Sequence, residues 1–378
     1  MVEKQLSSHL KNIEMKKLLA LFLLAFSLYF PVYGQDTRVV LITLDGFRWE
    51  ELFGGADSTL ISNKKYMDGN EDNVKDVNAL FNRPTRNERR ETLLPFIWST
   101  VKSNGTIIGN RWKGCKMDVA NSMHFSYPGY NELLCGFPDD DNIRSNDTIY
   151  NPNTNLLEVV NNSPEYKGSV LAFASWDCFP YILNVKRSKL EVNAGYMHSL
   201  SPTPTKEELY LDTIEDENPR HWRDERFDVY TFHYGLEAMK SRKPKFIYFA
   251  FDETDDFCHE GRYDQYLRSA HRSDEFIKEL WQYTQSDPFY KNKTVFIVTC
   301  DHGRGNGATG PDDWEGHGTS IRNSGQTWAI AFGKGIPAYG EVKQDCQFYT
   351  KQIAPTIASI LNIPFNPQHE DAGKVIEF

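Results

Sequence analysis

Three apolar runs of this chain stop at acids. "LITL" runs into Asp45, "FIYFAF" runs into Asp252-Glu253-Thr254-Asp255, and "FIVTC" runs into Asp301-His302. His259 lies four residues beyond Asp255, and a further histidine, His317, follows in "WEGHG". In open α/β sheets, ligands collect outside the carboxyl ends of the strands, so these are the positions from which side chains can do chemistry. Carboxylate plus imidazole, without thiolate, suits Zn²⁺ or Mn²⁺. Each piece alone has an ordinary structural use: a strand-terminal Asp forms turns and caps, and His317 between glycines can be plain loop. Their co-occurrence in this order, most of them at or just past a strand end, points to metal binding.

The elements that must position these residues are readable from periodicity. "RVVLITL" (Arg38–Leu44) is a continuous apolar run, as in a strand buried on both faces. "TIIGN", "SVLAFAS", "KFIYFAF", "TVFIVTC" and "TWAIAFG" read as further buried strands. "DVYTFHYGLEAMKS", "YDQYLRSAHRSDEFIKELWQYTQ" and "QIAPTIASILN" carry apolar residues at helical spacing. "LPFIWSTVKSNG" also reads as a helix, with Gly105 as its C-cap. Strand–helix alternation implies an α/β fold, a three-layer sandwich with a mostly parallel central sheet. The polar stretches 57–90 and 142–167 read as loops or small inserts, and 185–223 as irregular chain that could cap the site.

The chain has 378 residues and a formal net charge of −10. Residues 1–34 carry +2, so the remainder carries −12. That excludes a nucleic-acid duplex as partner, because a phosphate backbone needs a basic face. It does not exclude a small phosphate ester, if metal cations supply the positive charge. "MKKLLALFLLAFSLYFPVYG", from Met15 to Gly34, has two lysines, an apolar run and a small-residue boundary. This is the layout of a secretory signal peptide cleaved near Gln35, with Met15 as an alternative start. The expected organisation is an N-terminal extension and signal over 1–34 and one catalytic domain over 35–378. Export to periplasm or medium follows, with no membrane span after cleavage. Six cysteines (115, 135, 178, 258, 300 and 346) permit disulfides in an exported protein, but spacing leaves the pairing open.

With these residues in view, the pattern resembles the alkaline phosphatase superfamily, and within it the phosphodiesterase/nucleotide pyrophosphatase branch. "LITLDGFRWEELF" is similar to that branch's opening strand, "DETDDFCHEG" to its Asp-x-x-x-His element, and "CDHGRG" to its Asp-His pair. The resemblance implies two divalent metal ions, Zn²⁺ or Mn²⁺. Asp45, Asp301 and His302 would hold one, and Asp255, His259 and His317 the other. It also implies a nucleophile between the first Asp and the later ligands. "HFSYPGYNELLCGF" fits this, mapping the nucleophile and fourth ligand of the first metal onto Ser126. Pro128 suits a helix first turn, which places Ser126 where free N–H groups favour an anion; the plainer use of Ser126 is as an N-cap. Asn146 and Arg144 are the matching substrate-orienting candidates. The implied chemistry is two-metal hydrolysis of a phosphate ester through a phosphoserine.

The branch is less sharply defined than the superfamily. A sulfatase needs an Arg two residues after the proline of its nucleophile motif, and "FSYPGY" has none. A mutase needs a large insert after the nucleophile, and the chain is too short there. One departure touches the diester reading. His302 and His317 are only 15 residues apart, closer than the branch's usual spacing. A phosphomonoesterase therefore remains an alternative, as does a catalytically silent metal-binding protein.

Overall fold

The computed structural model describes residues 36–378; the signal-peptide expectation lies outside the described residues. The apolar runs form strands β1 (Arg38–Leu44), β2 (Gly105–Ile108), β3 (Cys115–Asp118), β4 (Val170–Ala174), β5 (Glu191–Ala194), β6 (Phe246–Phe251), β7 (Thr294–Thr299), β8 (Ala329–Gly333), β9 (Gly340–Glu341) and β10 (Cys346–Tyr349). Eight of them make one sheet in the order β5-β4-β6-β1-β7-β8-β2-β9. Only β8 runs antiparallel, against both β7 and β2. Every residue of β1, β4, β6 and β7 is buried. Both faces of the sheet are thus covered, which is why these strands read as continuous apolar runs rather than alternating ones.

Register sets up the site. Leu44 pairs with Phe251 on one side of β1, and Thr43 pairs with Thr299 on the other. The carboxyl ends of β6, β1 and β7 therefore finish level in the middle of the sheet. Asp45, Asp252 and Asp301 emerge within a residue or two of that line, and the Asp45 N–H still donates to Phe251 O at 2.9 Å. Helices Asp228–Arg242, Tyr263–Ser286 and Ile353–Ile360 fall where helical spacing places them.

Four local readings need correction. The stretch 57–90, read as loop or small insert, contains helix Glu71–Phe81 and the start of helix Arg86–Leu93. Few of their positions are buried: only Val77 and Phe81 in the first, and Arg90 and Leu93 in the second. The second is opened by a Thr85–Glu88 capping box. The stretch 185–223 contains the edge strand β5 and helix Lys206–Glu217, and 142–167 contains helix Leu156–Asn162. Gly105 is no left-handed cap. Its φ of −156° is extended backbone, and it opens β2 directly after a π-helical turn, Ile97–Val101, that runs on into Lys102–Asn104.

Away from the sheet, β3 and β10 pair in parallel, and Cys115 opposite Cys346 forms a disulfide across them, 231 residues apart in sequence. Cys135, Cys178, Cys258 and Cys300 are free and buried. Among the described residues no helix is long and apolar enough to cross a membrane. Cross-linking so long a loop restricts the unfolded chain, so Cys115→Ser should cost about 2–5 kcal/mol in urea denaturation under oxidising conditions. An unchanged denaturation midpoint would contradict that role.

Candidate metal centre

Ser126 opens the helix Ser126–Cys135, whose N-cap residue is Phe125 with no side-chain cap bond. Ser126 is therefore not a capping serine. Its Oγ lies 3.3 Å from His302 Nε2. The same nitrogen lies 3.3 Å from Asp45 Oδ1 and 3.5 Å from Asp301 Oδ2. The other atoms of these side chains are occupied. Asp45 Oδ2 accepts from Tyr130 Oη at 2.8 Å, Asp301 Oδ1 accepts from the Gly46 N–H at 3.2 Å, and His302 Nδ1 faces Gly303 O at 2.9 Å. A carbonyl only accepts, so Nδ1 carries a proton and Nε2 is turned to the cluster. Asp45 Oδ1 and Asp301 Oδ2 are buried and have no hydrogen-bond partner.

This is not a serine–histidine–carboxylate relay. In a relay the carboxylate orients one ring nitrogen while the other faces the serine. Here both carboxylates and the serine converge on one nitrogen, the arrangement of donor atoms around an ion.

A second group adjoins the first. Asp255 and His259 lie four residues apart on the helix Glu253–His259 and so share a face. His259 Nε2 is 3.0 Å from Asp255 Oδ2 and 2.9 Å from His317 Nε2, and His317 Nε2 is 3.9 Å from the same carboxylate oxygen. His302 Nε2 lies 3.8 Å from Asp255 Oδ1, and the His302 and His317 ring centres are 4.3 Å apart. In each group of three, one donor atom per residue falls within 4.8 Å of the others. Unpaired buried carboxylate oxygens, imidazole nitrogens facing one another and the absence of thiolate all fit divalent cations with mixed N and O ligation.

Electrostatics agree with that fit. Burial, reinforced by Asp45, pushes the Asp301 carboxyl far above its usual range. Burial opposes a charge on His302, but Asp301 and Asp45 outweigh it and lift the imidazole to about 9. Burial and then the His302 charge push His317 well down. Burial also works against the Asp255 carboxylate, yet Arg304, His259 and His317 hold it well below the usual range.

Four residues that motif reading passed over hold this arrangement. Arg304, fully buried in the "CDHGRG" run, bonds Asp255 Oδ1 through Nη2, reaches Asp255 O at 3.1 Å, and donates from Nη1 to Glu315 O at 2.6 Å. It thereby ties the segment leading to His317 onto the helix carrying Asp255. Tyr130 sits four residues past Ser126 on the same helix face, a spacing that was there to be read. Gly46 has φ +56°, and a Cβ there would stand 2.4 Å from Asp255 Oδ1 and 2.9 Å from Arg304 Nε. Gly129 serves the other side: a Cβ there would meet Asp301 O at 2.5 Å, so glycine lets the Ser126 helix lie against the β7 end. Of the two orienting candidates, Asn146 is exposed but tied to the nucleophile's helix, accepting from the Tyr127 N–H at 3.0 Å. Arg144 is exposed, with no hydrogen bond or ion pair to the site.

Comparison with known proteins follows the same outline. Residues 225–311, which include Asp255, His259, Asp301 and His302, match the family model of the metalloenzyme superfamily. The fold is alkaline phosphatase-like. The lipoteichoic acid synthase LtaP from Listeria monocytogenes superposes with a TM-score of 0.55 at 10% identity, over 91% of this chain and 75% of that chain. The alkaline phosphatase PafA does so at 0.54 and 10%, over 90% and 98%. BT1596, a 2-O GAG sulfatase, does so at 0.52 and 13%, over 90% and 73%. Identities this low carry the fold and no particular reaction. Comparison with curated protein sequences gives no match.

Two outcomes follow. A cation entering the Asp45 group must displace the proton that His302 holds below about pH 9. Affinity measured by calorimetry should therefore rise as pH rises from 6 towards 9, about tenfold per unit for each proton displaced; a flat profile would contradict the assignment. Gly46→Ala should weaken cation binding at the Asp255 group, seen as loss of one bound equivalent by elemental analysis, and full retention would contradict the packing argument.

Proposed function

We propose that the protein is an exported, metal-dependent hydrolase of phosphate esters, of the phosphodiesterase/nucleotide pyrophosphatase type, with Ser126 as nucleophile. The observation that carries this reading is the convergence of Ser126 Oγ, His302 Nε2 and the unpaired oxygens of Asp45 and Asp301 at the start of a helix. Asp45, Asp301, His302 and Ser126 would hold one divalent cation, and Asp255, His259 and His317 a second; Zn²⁺ is the metal their donor set suits best. Such ions supply Lewis acidity toward phosphoryl oxygens and lower the pKa of a ligated hydroxyl.

The chain's own groups do the rest. Ser126 Oγ loses its proton and forms the new P–O bond while the P–O bond to the leaving group breaks, that oxygen departing with its electron pair and ending protonated. Ser126 is left esterified to the phosphoryl group, which in a diester still carries its second ester substituent, and water then cleaves the Ser126 ester. The N-terminal turn of the helix Ser126–Cys135 faces the phosphate oxygens with partial positive charge. Asn146 steadies that turn by accepting from the Tyr127 N–H. The helix itself is anchored by Glu132, whose carboxylate accepts from the N–H groups of Ala120, Asn121 and Lys351.

Charge supports a diester over a monoester. A diester carries one negative charge and a monoester up to two. Arg304 is committed to Asp255 and Arg144 stands in solvent, so little protein charge is left for the extra one. A phosphomonoesterase is the second reading, favoured by the short His302–His317 separation. The sulfatase reading lacks its arginine after Pro128, and a silent metal-binding protein would have no use for a buried, non-capping Ser126. The Cys115–Cys346 disulfide supports export.

The test is hydrolysis of bis-p-nitrophenyl phosphate beside p-nitrophenyl phosphate by the metal-loaded protein. The diester should be preferred, and Ser126→Ala should lower kcat by about 10³-fold or more with cation content nearly intact. If neither ester is cleaved, or Ser126→Ala changes nothing, the enzyme reading fails.

A further inference from the structure

His124 stands two residues before Ser126, and its φ of +54° lies in the left-handed region. A non-glycine residue there is uncommon, and such positions cluster at functional sites. The turn that imposes it is tied to the nucleophile's own helix. Asn121 Oδ1 accepts from the N–H groups of Met123 and His124 at 3.1 and 2.9 Å, and Asn121 Nδ2 donates to Glu132 Oε2 at 2.8 Å. His124 thereby presents both its carbonyl and its ring to the chain beyond His317. The carbonyl accepts from the Gly318 N–H at 2.8 Å, and Nδ1 lies 3.2 Å from Ser324 Oγ.

Ser324 is fully buried and joins three segments. Its Oγ lies 2.9 Å from Gly318 O and 2.8 Å from Ile321 O, and its carbonyl accepts from the Gly303 N–H at 2.7 Å. Carbonyls only accept, so the hydroxyl proton goes to them and the His124 Nδ1–H donates to Oγ. Gly303 follows His302, and Gly318 follows His317. One serine therefore connects chain beside the nucleophile, beside a residue of the first metal group and beside a residue of the second. Two glycines make room for the contact. A Cβ on Gly303 would stand 2.3 Å from Gln326 O, and one on Gly325 would stand 3.1 Å from His124 Nε2. The plainer use of Ser324 is to close its own turn, through carbonyls three and six residues back. That use accounts neither for the bond from His124, 200 residues away in sequence, nor for the left-handed backbone that directs it.

We propose that Ser324, with His124 as its partner, is the positioning residue that holds Ser126 in register with His302 and His317. Its bonds go to residues beside those side chains rather than to the side chains themselves. In-line attack on phosphorus is sensitive to such placement: a shift of about 1 Å can cost about 100-fold in rate. Removing the hydroxyl therefore acts on the chemical step more than on substrate binding. The kinetic part of this inference rests on the phosphate-ester reading, and the cation-binding part does not.

The experiment compares Ser324→Ala, His124→Gly and His124→Asn with the wild type, all loaded with Zn²⁺, on bis-p-nitrophenyl phosphate. Asparagine keeps an amide N–H near the place of Nδ1 and tolerates the left-handed backbone, whereas glycine keeps the backbone alone. Ser324→Ala and His124→Gly should lower kcat by about tenfold or more with KM changed less than about threefold. His124→Asn should recover most of that loss. Calorimetry should show the second Zn²⁺ equivalent bound about tenfold more weakly by Ser324→Ala and His124→Gly, because the chain beside His317 has lost its tie. An unchanged kcat or an unchanged Zn²⁺ affinity in both variants would overturn the proposal. So would a loss expressed in KM alone, a loss that His124→Asn shares, or one that merely follows Tm across the variants. His124 is only partly buried, so its two variants decide the matter if Ser324→Ala folds poorly. A wild type that binds two Zn²⁺ and cleaves no phosphate ester would sink the functional reading, and the Zn²⁺ affinities alone would then decide this one.

Discussion

Buried negative charge held in one place is the constraint on which this molecule turns. Asp45, Asp301 and Asp255 reach the carboxyl edge of the sheet with almost no contact with water. Like charges that close repel strongly in a medium of low polarisability. Arg304 compensates Asp255, and His302 lies among all three carboxylates. What remains uncompensated includes carboxylate oxygens with no partner. A fold that gathers such groups costs stability unless something positive occupies the space between them.

The rest of the structure reads as the means of gathering them. The level ends of β1, β6 and β7 bring three acidic strand exits together from a stretch of more than 200 residues of chain. Gly46 leaves room for Asp255 and Arg304, and Gly129 lets the Ser126 helix close on the β7 end. Tyr130 turns Asp45, Gly303 O turns His302, and Arg304 turns Asp255, so that one free donor atom of each points the same way. Fixing outer atoms so that inner ones converge is how protein sites orient ligands before any ion arrives.

Much of this was legible in residue types alone, because a buried parallel strand is a continuous apolar run and its end is marked by the first polar residue. Asp45, Asp301 and His302 could be found that way, and Asp255 and His259 by one helical turn. What was not legible depends on neighbours distant in sequence. β5 is four residues long at the sheet edge, and its Glu191 and Asn193 interrupt any apolar run. The helices within 57–90 bury so few apolar side chains that their pattern looks like loop, although the Thr85–Glu88 box signalled one of them. Arg304 stood in a quoted motif, but its role needs Asp255, 49 residues away. The Cys115–Cys346 pairing likewise follows from two strands that meet only in three dimensions.

The central claim is that these side chains are ligands of two cations flanking Ser126. The most direct measurement is anomalous diffraction at the zinc edge from crystals of the protein grown with Zn²⁺. The account predicts two peaks, one ligated by Asp45, Asp301 and His302 and one by Asp255, His259 and His317, at bond lengths of about 2.0–2.2 Å. Peaks confined to surface residues, or a single peak with either group of three left empty, would contradict it.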